Sequence, residues 1–189
     1  VRCPREAVVL TRGARELALS GAVGPDHIVE FVNGSFAVYD KSGNELKRSN
    51  LDDFWIAAGQ TPAGTHAFIK SQQPQVLYDP GVDRWYAASV HNSGNANDVF
   101  FAVSNTSDPT GDWGGFAIAT DPDHEPGATW YASWPTLGYD ADHVYFLATM
   151  RPRSDNTVDP HNQYRYETVG AMPKAENILV WIGAPITRI

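Results

Sequence analysis

Three observations predict an all-β chain. Its apolar runs are short, five to eight residues, and rich in Val, Phe, Tyr, Trp and Ile. Each is bounded by Gly, Pro, Asn, Asp or Ser, the residues that turn a chain back on itself. No stretch of ten or more residues carries the apolar spacing of an amphipathic helix. With 189 residues, 42% apolar and 12% aromatic, the chain has material for a packed domain of ordinary size.

Residues 1–23 read as an irregular N-terminal segment, in which Ala14 to Ser20 has room for a short helical turn between Gly13 and Gly21. Residues 24–189 read as the β domain. In "DHIVEFVNGSFAVYD" apolar and polar positions alternate on both sides of Asn33-Gly34, whose members tolerate the positive φ of a type I′ turn. Strands are therefore expected at 27–32 and 35–39. "PQVLYD" and "RWYAASV" flank the tight loop "PGVD", where Pro80 presets φ and Gly81 adds conformational freedom. "DVFFAVSN" and "WGGFAIAT" flank "TSDPTGD", "PTLGYD" and "HVYFLATM" flank "AD", and "QYRYETVGAM" precedes "ENILVWI".

A Tyr-Asp pair closes three of these runs, at Asp40, Asp79 and Asp140. An Asp carboxylate at a strand end accepts the backbone N–H two residues on, forming an Asx-turn, while the preceding Tyr packs its ring at the rim. The three pairs lie 39 and then 61 residues apart, and repeats of roughly 40 to 50 residues built from four strands are the pattern of propeller blades. A β-propeller of four-stranded antiparallel blades, present here as a partial ring, is the expected architecture; a β-sandwich is the alternative.

The bulk numbers exclude several roles. A formal charge of −8 argues against nucleic acid, which needs clustered Lys and Arg, and it suits an extracellular surface. No apolar run approaches the ~20 residues that span a bilayer, so "ENILVWIGAPI" reads as a buried strand and direct membrane insertion is not expected. The one cysteine, Cys3, has no partner within the chain and is expected to pair, if at all, outside it. A Val at position 1 and an end at "PITRI" suggest part of something larger.

The segments "DHIVEFVNGSFAVYDKSGNEL", "QPQVLYDPGVDRWYAASV", "SNTSDPTGDWGGFAI", "SWPTLGYDADHVYFLATM" and "GAMPKAENIL" resemble, in that order, the sialidase-like β-propeller domains of secreted and cell-surface bacterial proteins. The resemblance covers about residues 24 to 180. Its specific marks are Tyr78-Asp79 followed by Arg84-Trp85, the run Ser107 to Trp113, the Trp134-Pro135-Thr136-Leu137-Gly138 turn, and Pro173-Lys174-Ala175. "TSDPTGDW" is similar to a displaced Asp-box, with Thr106, Asp108 and Trp113 at matching places, Gly111 one place late and Asp112 where Thr is usual. The resemblance implies an architectural role for that turn. It does not carry sialidase activity over, because the Phe-Arg-Ile-Pro motif that would supply the first substrate-gripping arginine is missing.

Candidate chemistry is sparse. Asp121, Asp123 and Glu125 in "TDPDHEPG" place three carboxylates at alternate positions, an arrangement able to offer hard oxygen ligands to calcium, although the glycine and closing glutamate of an EF-hand loop are replaced. His27 and His143 each follow an Asp at a strand start, which points to a repeated structural position with an Asp-His hydrogen bond more than to two active sites. His91, with Asn92 and Asn95 in the polar "NSGNAND" loop, is the better place for ligand contact. Trp85 and Trp113 are expected in the core; Trp55, Trp130 and Trp134 lie near loops, and Trp130 and Trp134 are taken as candidate ligand contacts. Nucleophile elbows, phosphate loops and dinucleotide fingerprints are missing.

The expected function is an extracytoplasmic, secreted or cell-surface module that recognises or scaffolds a protein or glycan without catalysis, its ring completed by further chain or another subunit. The alternatives are a carbohydrate-active enzyme, hydrolase or lyase, with its site at the propeller mouth, and a calcium-stabilised structural surface protein.

Overall fold

The computed structural model describes residues 18–32, 34–60, 71–91, 98–120, 130–152, 167–174 and 187–188. They form three four-stranded antiparallel sheets, the blades of a β-propeller. The first blade is β1 (Leu19–Val23), β2 (His27–Val32), β3 (Ser35–Asp40) and β4 (Glu45–Asn50). The middle blade is β5 (Ser71–Asp79), β6 (Arg84–His91), β7 (Asp98–Ser104) and β8 (Trp113–Ala119). The last is β9 (Trp130–Tyr139), β10 (His143–Pro152), β11 (Glu167–Pro173) and β12 (Thr187–Arg188). Within each blade every strand pairs with its neighbour in sequence.

The hairpin expected at 27–32 and 35–39 is present as β2 and β3, and Gly34 has the positive φ, 91°, that its turn requires. Asn33 lies outside the described residues. One expectation is corrected: Leu19 and Ser20 are not helical but belong to β1, which pairs with β2 from Leu19↔Val32 to Val23↔Ile28, so the first blade begins inside the stretch read as irregular. The amphipathic alternation of β2 recruits that edge strand, a tertiary effect invisible in the local mixture of charge and glycine.

A short helix, α1 (Leu51–Ala57), follows β4. Asn50 caps it by accepting the Asp53 amide at 2.7 Å, and Asp52 and Asp53 complement the helix dipole in its first turn. Leu51, Phe54 and Trp55 bury its inner side. Its end is tied to the middle blade, where the Gly115 amide donates to the Ala58 carbonyl at 2.8 Å.

The blades are arranged radially. The first strands lie side by side, β1 against β5 and β5 against β9, and each sheet presses one face on the next. The middle blade shows this in its period of two. Val76, Trp85, Ala87, Phe100 and Ala102 join Val29, Phe31, Phe36, Val38 and α1 in one core. Tyr86, Ala88, Val90, Val99, Phe101 and Val103 join Val144, Phe146, Ala148, Met150 and Met172 in another. A strand buried on both faces reads as a continuous apolar run, as "RWYAASV" and "DVFFAVS" do. Trp85 and Trp113 are core residues as expected; Trp55 is fully buried too.

The outer faces differ. On the first blade, Glu30 stands at the centre, where the middle and last blades have Ala87 and Phe146. It accepts the Tyr39 hydroxyl at 3.1 Å, and Arg48 ties Tyr39 (2.8 Å) to Glu45 (2.9 Å) and Ser35 (3.1 Å). On the last blade the outward positions are Tyr145, Leu147, Val169 and Ala171, all partly exposed.

Candidate functional site

Strand directions give the blades two unlike ends. At one, the turn end, the connections are tight. Asp40 Oδ1 accepts the amides of Ser42 (2.8 Å) and Asn44 (2.9 Å). Asp79 Oδ1 accepts the Gly81 amide at 2.8 Å, and Asp140 Oδ1 accepts those of Asp142 and His143, both at 2.8 Å. All three predicted Asx-turns are present. The Tyr145 hydroxyl also donates to Asp140 Oδ2 at 2.6 Å; that bond, then the two amides, hold the Asp140 carboxyl at about 2. The Asp-box-like turn has the same character: Asp108 Oδ1 accepts the Thr110 amide (2.9 Å) and hydroxyl (2.7 Å), and Trp113 Nε1 donates to the Pro109 carbonyl at 3.0 Å.

The turn end also bolts the blades together. Lys47 Nζ donates to the Thr110 carbonyl at 2.8 Å, and His27 lies 3.8 Å from Asp108, joining the first and middle blades. Lys174 forms an ion pair with Asp79 in which both side chains are buried, and donates to the Asp140 carbonyl, joining the middle and last. His27 and His143 occupy one repeated position, their carbonyls accepting the amides of Gly24 and Asp140 at 3.0 Å each. Each has a carboxylate neighbour at ion-pair distance, Asp108 at 3.8 Å from His27 and Asp140 at 3.9 Å from His143. Burial raises the Tyr78 hydroxyl to about 12, with help from Asp83, and raises Tyr86 to about 12, with help from Asp79. These perturbed groups are accounted for by the architecture of this end.

The opposite, open end carries the connections 51–70, 92–97, 120–129 and 153–166 beside the tight 33–34 turn, whereas the turn end has two longer connections, 105–112 and 174–186. Loops on a rigid scaffold are where binding groups concentrate. Buried polar side chains gather here as well: Gln60, Ser71, Gln73, Ser89, His91, Thr120 and Ser133. Ser71 donates to Asp52 Oδ1 at 2.9 Å. His91 is 5% exposed, its ring stacked on Phe100 at 4.7 Å, and its Nδ1 is 3.7 Å from Asp98 Oδ2. Among the described residues, neither His91 nitrogen, nor Ser89 Oγ, nor Trp55 Nε1 has a hydrogen-bond partner. His91 therefore faces the inter-blade core and not the solvent of a binding loop. It falls on the same side of β6 as Trp85, Ala87 and Ser89.

The open end also holds two backbone kinks. Gln73-Pro74 and Trp134-Pro135 each insert two residues opposite one, against Ser89 in β6 and Ala148 in β10. Gln73 and Trp134 both have φ 53°, although a residue before proline is normally extended. A non-glycine residue in this region costs about 1–3 kcal/mol. The two kinks touch across the blade boundary: Gln73 Oε1 accepts the Trp134 amide at 2.6 Å and the Ser133 hydroxyl at 3.3 Å. Gln73 is buried, whereas Trp134 is 41% exposed. Reading the residues one by one missed Gln73 and Ser133. The available signal was that Gln73-Pro74 precedes Tyr78-Asp79 as Trp134-Pro135 precedes Tyr139-Asp140, 61 positions on.

Of the other candidates, Trp130 pairs through its backbone with Pro152, its side chain lying outside the description. Asn92, Asn95, Asp121, Asp123 and Glu125 lie outside the described residues. Among the described residues, no group of three or more His, Cys, Asp or Glu is placed to hold a metal, and no helix is long and apolar enough to cross a membrane.

No family model matches the chain, and no curated protein does. Among solved structures it is similar in fold to a chain described as Phage phi92 endosialidase, with a TM-score of 0.52 and 12% identity. The match covers 82% of this chain and 23% of that one, so this chain spans about a quarter of its neighbour's length.

Proposed function

We propose that the chain is an extracytoplasmic recognition or scaffold module that binds a protein or glycan at the open end of its blades and does no chemistry on it. The observation that carries this reading is the contrast between the ends. Local hydrogen bonds consume the turn end, while long connections, buried polar side chains and two strained kinks collect at the other. The fold similarity to an endosialidase makes a glycan a natural class of partner to test first.

A further blade, from more chain or another subunit, completes the ring. The outward positions of the last blade, Tyr145 and Leu147, correspond to Tyr86 and Ala88 of the middle blade, which the next sheet covers. A monodisperse, well-folded monomer of these 189 residues by light scattering would remove this part of the reading. The function itself is tested by glycan and protein binding followed by hydrogen exchange. Protection confined to the open end, with the ligand recovered unchanged, supports it. Cleaved product, or protection at the turn end, overturns it.

A further inference from the structure

We propose that Lys174 and Asp79 join covalently: Lys174 Nζ forms an amide with the Asp79 carboxyl carbon and expels one water, so that an isopeptide bond staples the middle blade to the last. This goes beyond the recognition reading and does not depend on it. The starting point is a turn that occurs three times. Asp40, Asp79 and Asp140 each give one oxygen to an amide two residues on. At Asp40 and Asp140 the second oxygen is occupied as well, by Asn44 Nδ2 at 2.8 Å and by the Tyr145 hydroxyl at 2.6 Å. At Asp79 it is left to Lys174, whose Nζ touches Oδ2 without making a hydrogen bond of ordinary geometry.

Burial sets this pair apart. The Asp79 side chain is 1% exposed and that of Lys174 7%, against 52% for Asp140. Nζ also lies 4.8 Å from the centre of the Tyr139 ring. An ion pair held away from solvent bears the cost of desolvating two charges, whereas an amide carries no charge. Water is the product of the condensation and the reagent of its reversal, so its exclusion favours the joined state.

The contacts around the pair suit each stage. Proton transfer from Nζ to Oδ2 turns ammonium and carboxylate into amine and acid, and the free lone pair makes the nitrogen a nucleophile. It adds to Cγ. The negative charge of the tetrahedral adduct gathers on Oδ1, to which the Gly81 amide already donates at 2.8 Å. A second proton then passes from nitrogen to Oδ2, the Cγ–Oδ2 bond breaks and water leaves with that electron pair. The third ammonium proton stays on the amide nitrogen. In the product, Oδ1 is the amide carbonyl and keeps its bond from Gly81, while the N–H has the Asp140 carbonyl, an acceptor that Nζ already uses. The bond encloses β6 to β11 in one covalent loop, which restricts the unfolded chain.

The test is the intact mass of the purified chain after denaturation, followed by tryptic mapping. The parent is expected to be one water lighter than its sequence, with residues 71–84 and 166–188 recovered as a single branched peptide, since trypsin does not cut after an acylated lysine. Lys174→Arg, which keeps the charge and offers no amine, and Asp79→Ala are each expected at full sequence mass. A parent at full sequence mass overturns the proposal, whether or not either variant folds. So does a missing water that persists in Lys174→Arg, or one that maps to a linear peptide as a cyclised aspartate.

Discussion

At the turn end, Asp40, Asp79 and Asp140 close their loops on amides two residues on, and Lys174 and Asp79 neutralise each other in the seam between two blades. At the open end, His91, Ser89 and Trp55 bury polar atoms with no hydrogen-bond partner among the described residues, and Gln73 and Trp134 sit at φ 53°. One end is saturated with local interactions; the other carries unspent polar capacity and strain. The local interactions that hold the scaffold and the unspent polar groups thus lie at opposite ends of the same strands.

The sharpest way to break that contrast is to damage the saturated end. Lys174→Met leaves Asp79, 0% exposed, as an uncompensated buried charge, and is expected to cost about 3–5 kcal/mol in urea denaturation. Next in size is Gly24→Ala. A Cβ at Gly24 would stand 2.6 Å from Trp85 Cζ2 and 3.3 Å from Tyr78 Cδ2, so the joint between the first and middle blades must shift, at about 1–3 kcal/mol.

The open end should answer with the other sign. His91→Phe keeps the stack on Phe100 and removes two buried nitrogens that have no hydrogen-bond partner among the described residues, so stability should hold or rise by about 1 kcal/mol. A loss of several kcal/mol would show that His91 is satisfied, and the contrast would weaken. Asp140→Asn gives the smallest effect and a pH-dependent one. The folded carboxyl is lowered from 3.8 to about 2, so its contribution is present above the ordinary value and lost as pH falls toward about 2. The variant, unable to accept the Tyr145 hydroxyl on its amide nitrogen, should show a flatter dependence of urea midpoint on pH across that window.

What could be read from the sequence was local. An Asx-turn spans two residues, so Asp40, Asp79 and Asp140 announced theirs, and the alternation around Asn33-Gly34 placed β2 and β3. Register within the ring was less accessible. Tyr78-Asp79 and Tyr139-Asp140 both end the first strand of a blade, but Tyr39-Asp40 ends the third strand of its own; the 61-residue spacing is the repeat and the 39-residue spacing is not. The same dipeptide punctuates any tight turn and carries no information on strand order. α1 escaped notice because seven residues are too few to display helical periodicity, though Asn50 and Asp53 supplied a capping signature. His91 is a polar residue beside a polar loop, which suggested exposure. The alternation from Trp85 through Ala87 and Ser89 determined its side instead. Trp134 stood out as an aromatic near a turn; the Gln73 clasp that holds it needs contact between blades 61 positions apart.

The strictly sequential strand pairing has a consequence for biogenesis. Each spoke can finish its own hydrogen-bonded ladder as soon as its residues emerge from the ribosome, with no need to wait for distant chain. The middle spoke, however, then shows Tyr86, Phe101 and Val103 to the surroundings until β9 and β10 are made. That interval is when the nascent protein is most prone to stick to others, and when a chaperone would do it the most good.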